Sequence, residues 1–87
     1  MNIGNLKHVF ESNQVSRRYY SFDGPGGRDC LALEFANDSW TVSYYSERGT
    51  RREKGVFTSE DEACRAMFEL VKRTVQEETG RTILSNV

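Results

Sequence analysis

Residues 40–64, WTVSYYSERGTRREKGVFTSEDEAC, decide the fold of this chain. Trp40 to Glu47 reads as a strand. Trp40, Val42 and Tyr44 fall on one side, and Thr41, Ser43, Tyr45 and Glu47 on the other. Gly49 and the basic residues around it form a turn, and Gly55-Val56-Phe57 is a short returning strand. Ser59 followed by Glu62 has the spacing of a capping box, with Thr58 as the alternative cap. Ala63, Cys64, Met67, Phe68, Val71 and Val75 then recur at helical spacing and make one apolar stripe. Gly80 stands where a helix C-cap belongs, and RTILSNV after it either frays or adds a final extended segment.

Working upstream, Asn37-Asp38-Ser39 is a tight turn that connects this strand to an earlier one, Cys30 to Phe35. In that earlier strand Leu31, Leu33 and Phe35 share one face; Cys30, Ala32 and Glu34 share the other. Asp23-Gly24-Pro25-Gly26-Gly27 is a loop by composition. RRYYSF, residues 17–22, has the aromatic content of a short edge strand. Ile3, Leu6, Val9 and Phe10 predict an amphipathic helix over residues 3–12, with Ser12-Asn13-Gln14 as its exit. The order gives an α+β domain: a short N-terminal helix, an antiparallel meander of three or four strands, and a long C-terminal helix on one sheet face.

Eighty-seven residues hold one domain, since a second would leave neither half a core. One Trp, four Tyr and five Phe are too many aromatic rings for a solvated tail. The formal net charge of −1 argues against a dedicated nucleic-acid binder, which carries a clear basic excess. Charge is segregated locally: Arg48, Arg51, Arg52 and Lys54 crowd the turn, and Glu60, Asp61 and Glu62 open the following helix, where the macrodipole favours them. MNIGNLKHVF lacks the features of a secretory signal, and no window approaches the ~20 apolar residues of a membrane span. The expectation is a cytoplasmic protein in which Cys30 and Cys64 are free, buried thiols.

Nothing in the chain assembles the groups that a reaction needs. His8 is the one histidine and belongs to a surface or cap. Two isolated cysteines and one histidine do not make a metal shell, so no metal and no cofactor are expected. Cys64 lies on the core stripe, where a thiol is inert packing. The glycine loop precedes a strand, whereas phosphate-binding loops open onto a helix N-terminus.

Binding is better supplied. Tyr19-Tyr20 and Tyr44-Tyr45 are adjacent pairs, so in a strand one ring of each pair packs inward while the other faces water. Outward Tyr and Arg are favoured anchors of protein interfaces. The candidate partner contacts are Tyr19, Tyr45, Glu47, Arg48, Arg51, Arg52, Glu60 and Asp61. Tyr45 beside the arginine turn leaves a second reading open, a small nucleic-acid-associated regulator. A homodimer joined through a strand edge is a third.

WTVSYYSERG, a strand ending in Phe57, and then TSEDEAC leading into an amphipathic helix together resemble a pattern in small bacterial immunity proteins. RRYYSFDG and the strand Cys30–Phe35 also look like the corresponding parts of those proteins, so the resemblance covers about residues 5–75. Such proteins are encoded beside polymorphic or contact-dependent growth-inhibition toxins. The resemblance implies a non-enzymatic, stoichiometric inhibitor of a cognate toxin domain, with a nuclease the expected kind of toxin, that acts in the cytoplasm and is a monomer or weak homodimer when free. Two modes stay open. Glu47, Glu60, Asp61 and Glu62 could fill a basic toxin cleft, or the Arg48–Lys54 turn could plug an acidic one.

Overall fold

The computed structural model describes residues 1–22, 24 and 29–85. Helix α1 spans Ile3–Ser12, a single 3-10 turn spans Arg17–Tyr19, and strands β1 to β4 are Tyr20–Ser21, Cys30–Ala36, Ser39–Tyr45 and Arg51–Phe57. Helix α2 runs Glu60–Thr79. The strands form one sheet in chain order, β1-β2-β3-β4.

Both helices begin where the sequence supplies a cap. Asn2 and Asn5 make a reciprocal capping box for α1, and the Ser59 hydroxyl accepts the Glu62 N–H at 3.1 Å for α2. Gly80 closes α2 in the left-handed region, φ 77°, which a residue without Cβ adopts freely. Asn37 and Asp38 form a two-residue hairpin turn, both at positive φ, so Ala36 pairs with Ser39 and the register of β2 against β3 is fixed.

That register puts Leu31 opposite Tyr44, Leu33 opposite Val42 and Phe35 opposite Trp40, all on the face that α2 covers. The core joins Leu31, Leu33 and Val42 to Leu6, Val9 and Phe10 of α1 and to Ala63, Cys64, Met67, Phe68, Val71 and Val75 of α2. The helical stripe is thus the core face, as its spacing predicts. Ile83 joins the core as well, which settles the alternatives for the tail. Residues 81–85 dock: Asn13 donates to the Leu84 carbonyl at 2.8 Å and accepts its N–H at 3.2 Å.

Three expectations need correction. The sheet is mixed, not wholly antiparallel, because β1 runs parallel to β2 with Tyr20 opposite Leu31. Residues 17–22 are not a continuous strand. Ser16 caps a 3-10 turn, the Tyr20 N–H closes it on the Arg17 carbonyl, and only two residues remain to pair. The third long strand is also more than Gly55–Phe57. It starts at Arg51, so Arg51 to Lys54 belong to a strand and not to a turn. Polar residues tolerate this place because β4 is an edge, exposed along much of its length, and charges there discourage sheet-to-sheet pairing. The glycine-rich loop lies outside the described residues except for Gly24.

Opposite α2, the sheet presents Cys30, Ala32 and Glu34 of β2 facing Tyr45, Ser43 and Thr41 of β3. Tyr45 stands opposite Cys30, yet its hydroxyl reaches both Glu34 carboxylate oxygens at 3.1 Å. Its ring therefore crosses the small side chains between them. Ser43 is fully buried there, beside the bulge that leaves Lys54 unpaired, and its hydroxyl finds no partner among the described residues. Ser43→Ala removes a desolvated hydroxyl without opening a large void. It is expected to leave urea-unfolding stability unchanged or to raise it by up to about 1 kcal/mol.

Neither Cys30 nor Cys64 forms a disulfide, and both are buried. Burial, reinforced by Glu60, pushes the Cys64 thiol up to about 11, so it stays protonated at neutral pH. His8 lies on the exposed side of α1, 3.4 Å from the Ser12 hydroxyl.

Candidate binding surface

The eight residues singled out from the sequence separate into three groups. Tyr19 and Tyr45, expected as outward rings, are 7% and 8% exposed. The Arg18 guanidinium lies 4.7 Å from the Tyr19 ring centre and donates to the Tyr19 hydroxyl at 2.9 Å. The adjacent rings reversed the expectation because Tyr19 sits in a 3-10 turn, where strict alternation does not apply, and because Tyr45 packs along the sheet instead of away from it.

Glu60 and Asp61 are engaged inside the chain. Glu60 accepts the Ile3 N–H at 2.8 Å. Asp61 accepts from the Met1 amino group and from Arg65 Nε, the latter at 2.9 Å, and these two donors hold its carboxyl below the usual carboxylate range. Glu62 takes a hydrogen bond from its own cap, Ser59, at 3.2 Å. The acidic start of α2 thus fastens the N-terminal helix, in addition to complementing the helix dipole.

Arg48, Arg51, Arg52 and Glu47 remain near the β3–β4 connection. The turn itself is small: Ser46 N–H bonds the Thr50 carbonyl and Gly49 N–H bonds the Ser46 carbonyl, both at 2.9 Å. Beyond it the two arginines diverge, as strand neighbours must. Arg51 pairs with Tyr45 in register and reaches toward Glu34, 3.8 Å away. Arg52 pairs with Tyr44 on the α2 side. Glu47 lines a shallow groove of about 450 Å³ with Arg18, Tyr19, Asp29 and Glu78. Arg18 bridges to Glu78 at 3.1 Å there, and Tyr44 donates its hydroxyl to Asp29, a bond that holds the phenol above its ordinary range. The connection and the acidic start of α2 sit at opposite ends of β4, roughly 20 Å apart at strand rise, so no single patch unites all eight residues.

Two surface features were not singled out from the sequence. The first is aromatic. Phe35 lies on the α2 side of the sheet but at the hairpin end, and it remains 55% exposed with its ring 4.6 Å from that of Trp40. Alternation puts Phe35 on the same face as Leu31 and Leu33; only the extent of the covering layer shows that it lies outside the core. The second is a groove of about 350 Å³ between α2 and β4. Leu31, Tyr44 and Leu70 contribute apolar surface to it, with Arg52, Lys54, Arg73, Thr74 and Glu77 around them. A signal for it existed in the sequence, since Leu70, Arg73 and Glu77 follow one another at helical spacing beside the core stripe.

Among the described residues no group of three or more His, Cys, Asp or Glu side chains is placed to hold a metal ion, and no helix is long and apolar enough to cross a membrane. No known protein-family model, curated protein or solved structure matches this chain.

Proposed function

We propose that this chain is an immunity protein that binds a cognate bacterial toxin domain in the cytoplasm and neutralises it by covering its active site or substrate surface. The observation that carries the reading is the Phe35–Trp40 pair. A Phe more than half exposed, its ring tilted against that of a Trp that packs on the core, is the kind of rigid apolar anchor around which protein interfaces form. The resemblance of residues 40–64 to immunity proteins names the class of partner. The reading requires no catalytic group: the chain acts by occupying a surface. The charged edge of β4 favours a free chain that stays monomeric until the partner arrives.

Co-expression with the product of the adjacent gene, followed by affinity purification, tests the proposal. The expected result is a stable complex. Phe35→Ala should weaken it by about 2 kcal/mol, roughly thirtyfold, while leaving the thermal unfolding midpoint of the free chain nearly unchanged. A neighbour that is not toxic, or a toxic neighbour that never co-purifies, would remove the proposal.

A further inference from the structure

The groove between α2 and β4 has a chemistry that narrows the partner. Its walls carry three cations, Arg52 and Lys54 from the edge strand and Arg73 from the helix, against one carboxylate, Glu77. Neither Arg52 nor Arg73 forms an ion pair with any described residue, and Lys54 rests 6.0 Å from the centre of the Tyr44 ring. Arg18 pairs with Glu78, Arg65 with Asp61, and Arg51 reaches toward Glu34. Lys7, Arg17, Arg48 and Lys72 also form no ion pair among the described residues, but only the groove brings three cations from two elements onto one concave wall. The groove is therefore a local concentration of uncompensated positive charge on a chain whose net charge is −1. Leu31, Tyr44 and Leu70 make part of its surface apolar.

We infer that this groove receives an acidic, extended segment of the partner protein, with carboxylates meeting Arg52, Lys54 and Arg73 and an apolar side chain set against Tyr44 and Leu70. The inference rests on the immunity reading for the identity of the partner, and it selects between the two modes left open by the sequence. The cationic side of β4 is available for a partner, whereas Glu60 and Asp61 are bound to α1 and Arg65. A short acidic segment fits better than nucleic acid. Glu77 stands in the groove wall itself and Glu69 lies one helical turn from Arg73 on α2, so a continuous phosphate backbone laid along the helix meets carboxylates that repel it. A peptide can end its negative charge where the groove ends. Opposite potentials across such a contact raise the association rate and fix the register of docking.

The test uses a fluorescein-labelled short peptide of alternating glutamate and leucine, titrated with the full chain at low salt and followed by fluorescence anisotropy. Binding that weakens as salt rises is expected. The double substitution Arg52→Glu with Arg73→Glu should lower affinity at least about tenfold, because it removes two attractions and adds two repulsions. Arg52→Ala with Arg73→Ala should lower it less, and Arg17→Glu, on the 3-10 turn, should change it little. Circular dichroism on every variant confirms the native fold. Absence of peptide binding, an equal loss in Arg17→Glu, or tighter binding of a single-stranded oligouridylate would each overturn the assignment. The partner arm separates the two claims. A toxin complex unaffected by the double glutamate variant leaves the immunity reading standing and removes the groove. Peptide binding at the groove without any toxin complex does the reverse.

Discussion

Phe10→Ala is expected to destabilise the chain by about 3–5 kcal/mol. Phe10 is fully buried, and it is where three parts of the fold meet. Its ring centre lies 4.6 Å from that of Tyr20 on β1 and 6.5 Å from that of Phe68 on α2. Truncation therefore removes the apolar area of a large ring and leaves a cavity bounded by groups from three elements, which cannot all close in together. Small domains bury a modest share of their surface, and native stabilities are only about 5–15 kcal/mol in total. The variant should show a markedly lower urea midpoint and a substantial unfolded fraction near body temperature. A loss under about 1 kcal/mol would mean that α1 does not depend on this contact.

Ile83→Ala is the second large effect, at about 2–5 kcal/mol. Ile83 belongs to a segment without helix or strand, yet it is fully buried in the main core. Gly80 turns the chain back at the end of α2, and Asn13 then clamps Leu84 through both its amide oxygen and its amide nitrogen. Arg81 adds hydrogen bonds to the carbonyls of Asn13 and Gln14. The tail is therefore the lid on the space between the ends of α1 and α2. Leu84→Ala supplies the contrast: its side chain is 65% exposed, and its loss should stay within about 0.5 kcal/mol. Equal effects at the two positions, measured by urea denaturation, would contradict the docked tail.

The parts of the fold that were legible in the sequence are those with a long period. Six apolar positions in α2 name its buried face, and the Ser59 and Gly80 caps bound it. Alternation in β2 and β3, with a turn around Asn37-Asp38, gives the central hairpin. The exact register, in which Ala36 and Ser39 still pair, comes from the positive φ of both turn residues, and β3 ends at Tyr45 instead of Glu47. Features that depend on a distant neighbour were not legible. Two residues of β1 carry no period, and their parallel direction depends on the path of the connection to β2. The charged start of β4 has poor strand propensity and is held by pairing with β3, with register Tyr44 to Arg52 and Tyr45 to Arg51.

The candidate site shows the same division. The residue types were chosen for their interface chemistry, but composition does not say which side chains the fold has already engaged. Glu60 and Asp61 look like free surface acids until α1 is placed beside them. Tyr45 looks like an outward ring until Glu34 is found at its hydroxyl. Conversely, alternation puts Phe35 on the face of Leu31 and Leu33, and only the three-dimensional extent of the covering layer leaves it in water. Arg52 gains its meaning from Arg73, twenty-one positions later in the chain and on a different element, across a shared groove.

The most direct test of the account is growth of cells that express the toxic domain of the neighbouring gene product, with and without this chain. The account predicts arrest when the domain is expressed alone and restored growth when the chain is supplied, with protection reduced in Phe35→Ala and in the double glutamate variant at Arg52 and Arg73. Continued arrest in the presence of abundant, folded wild-type chain would contradict it.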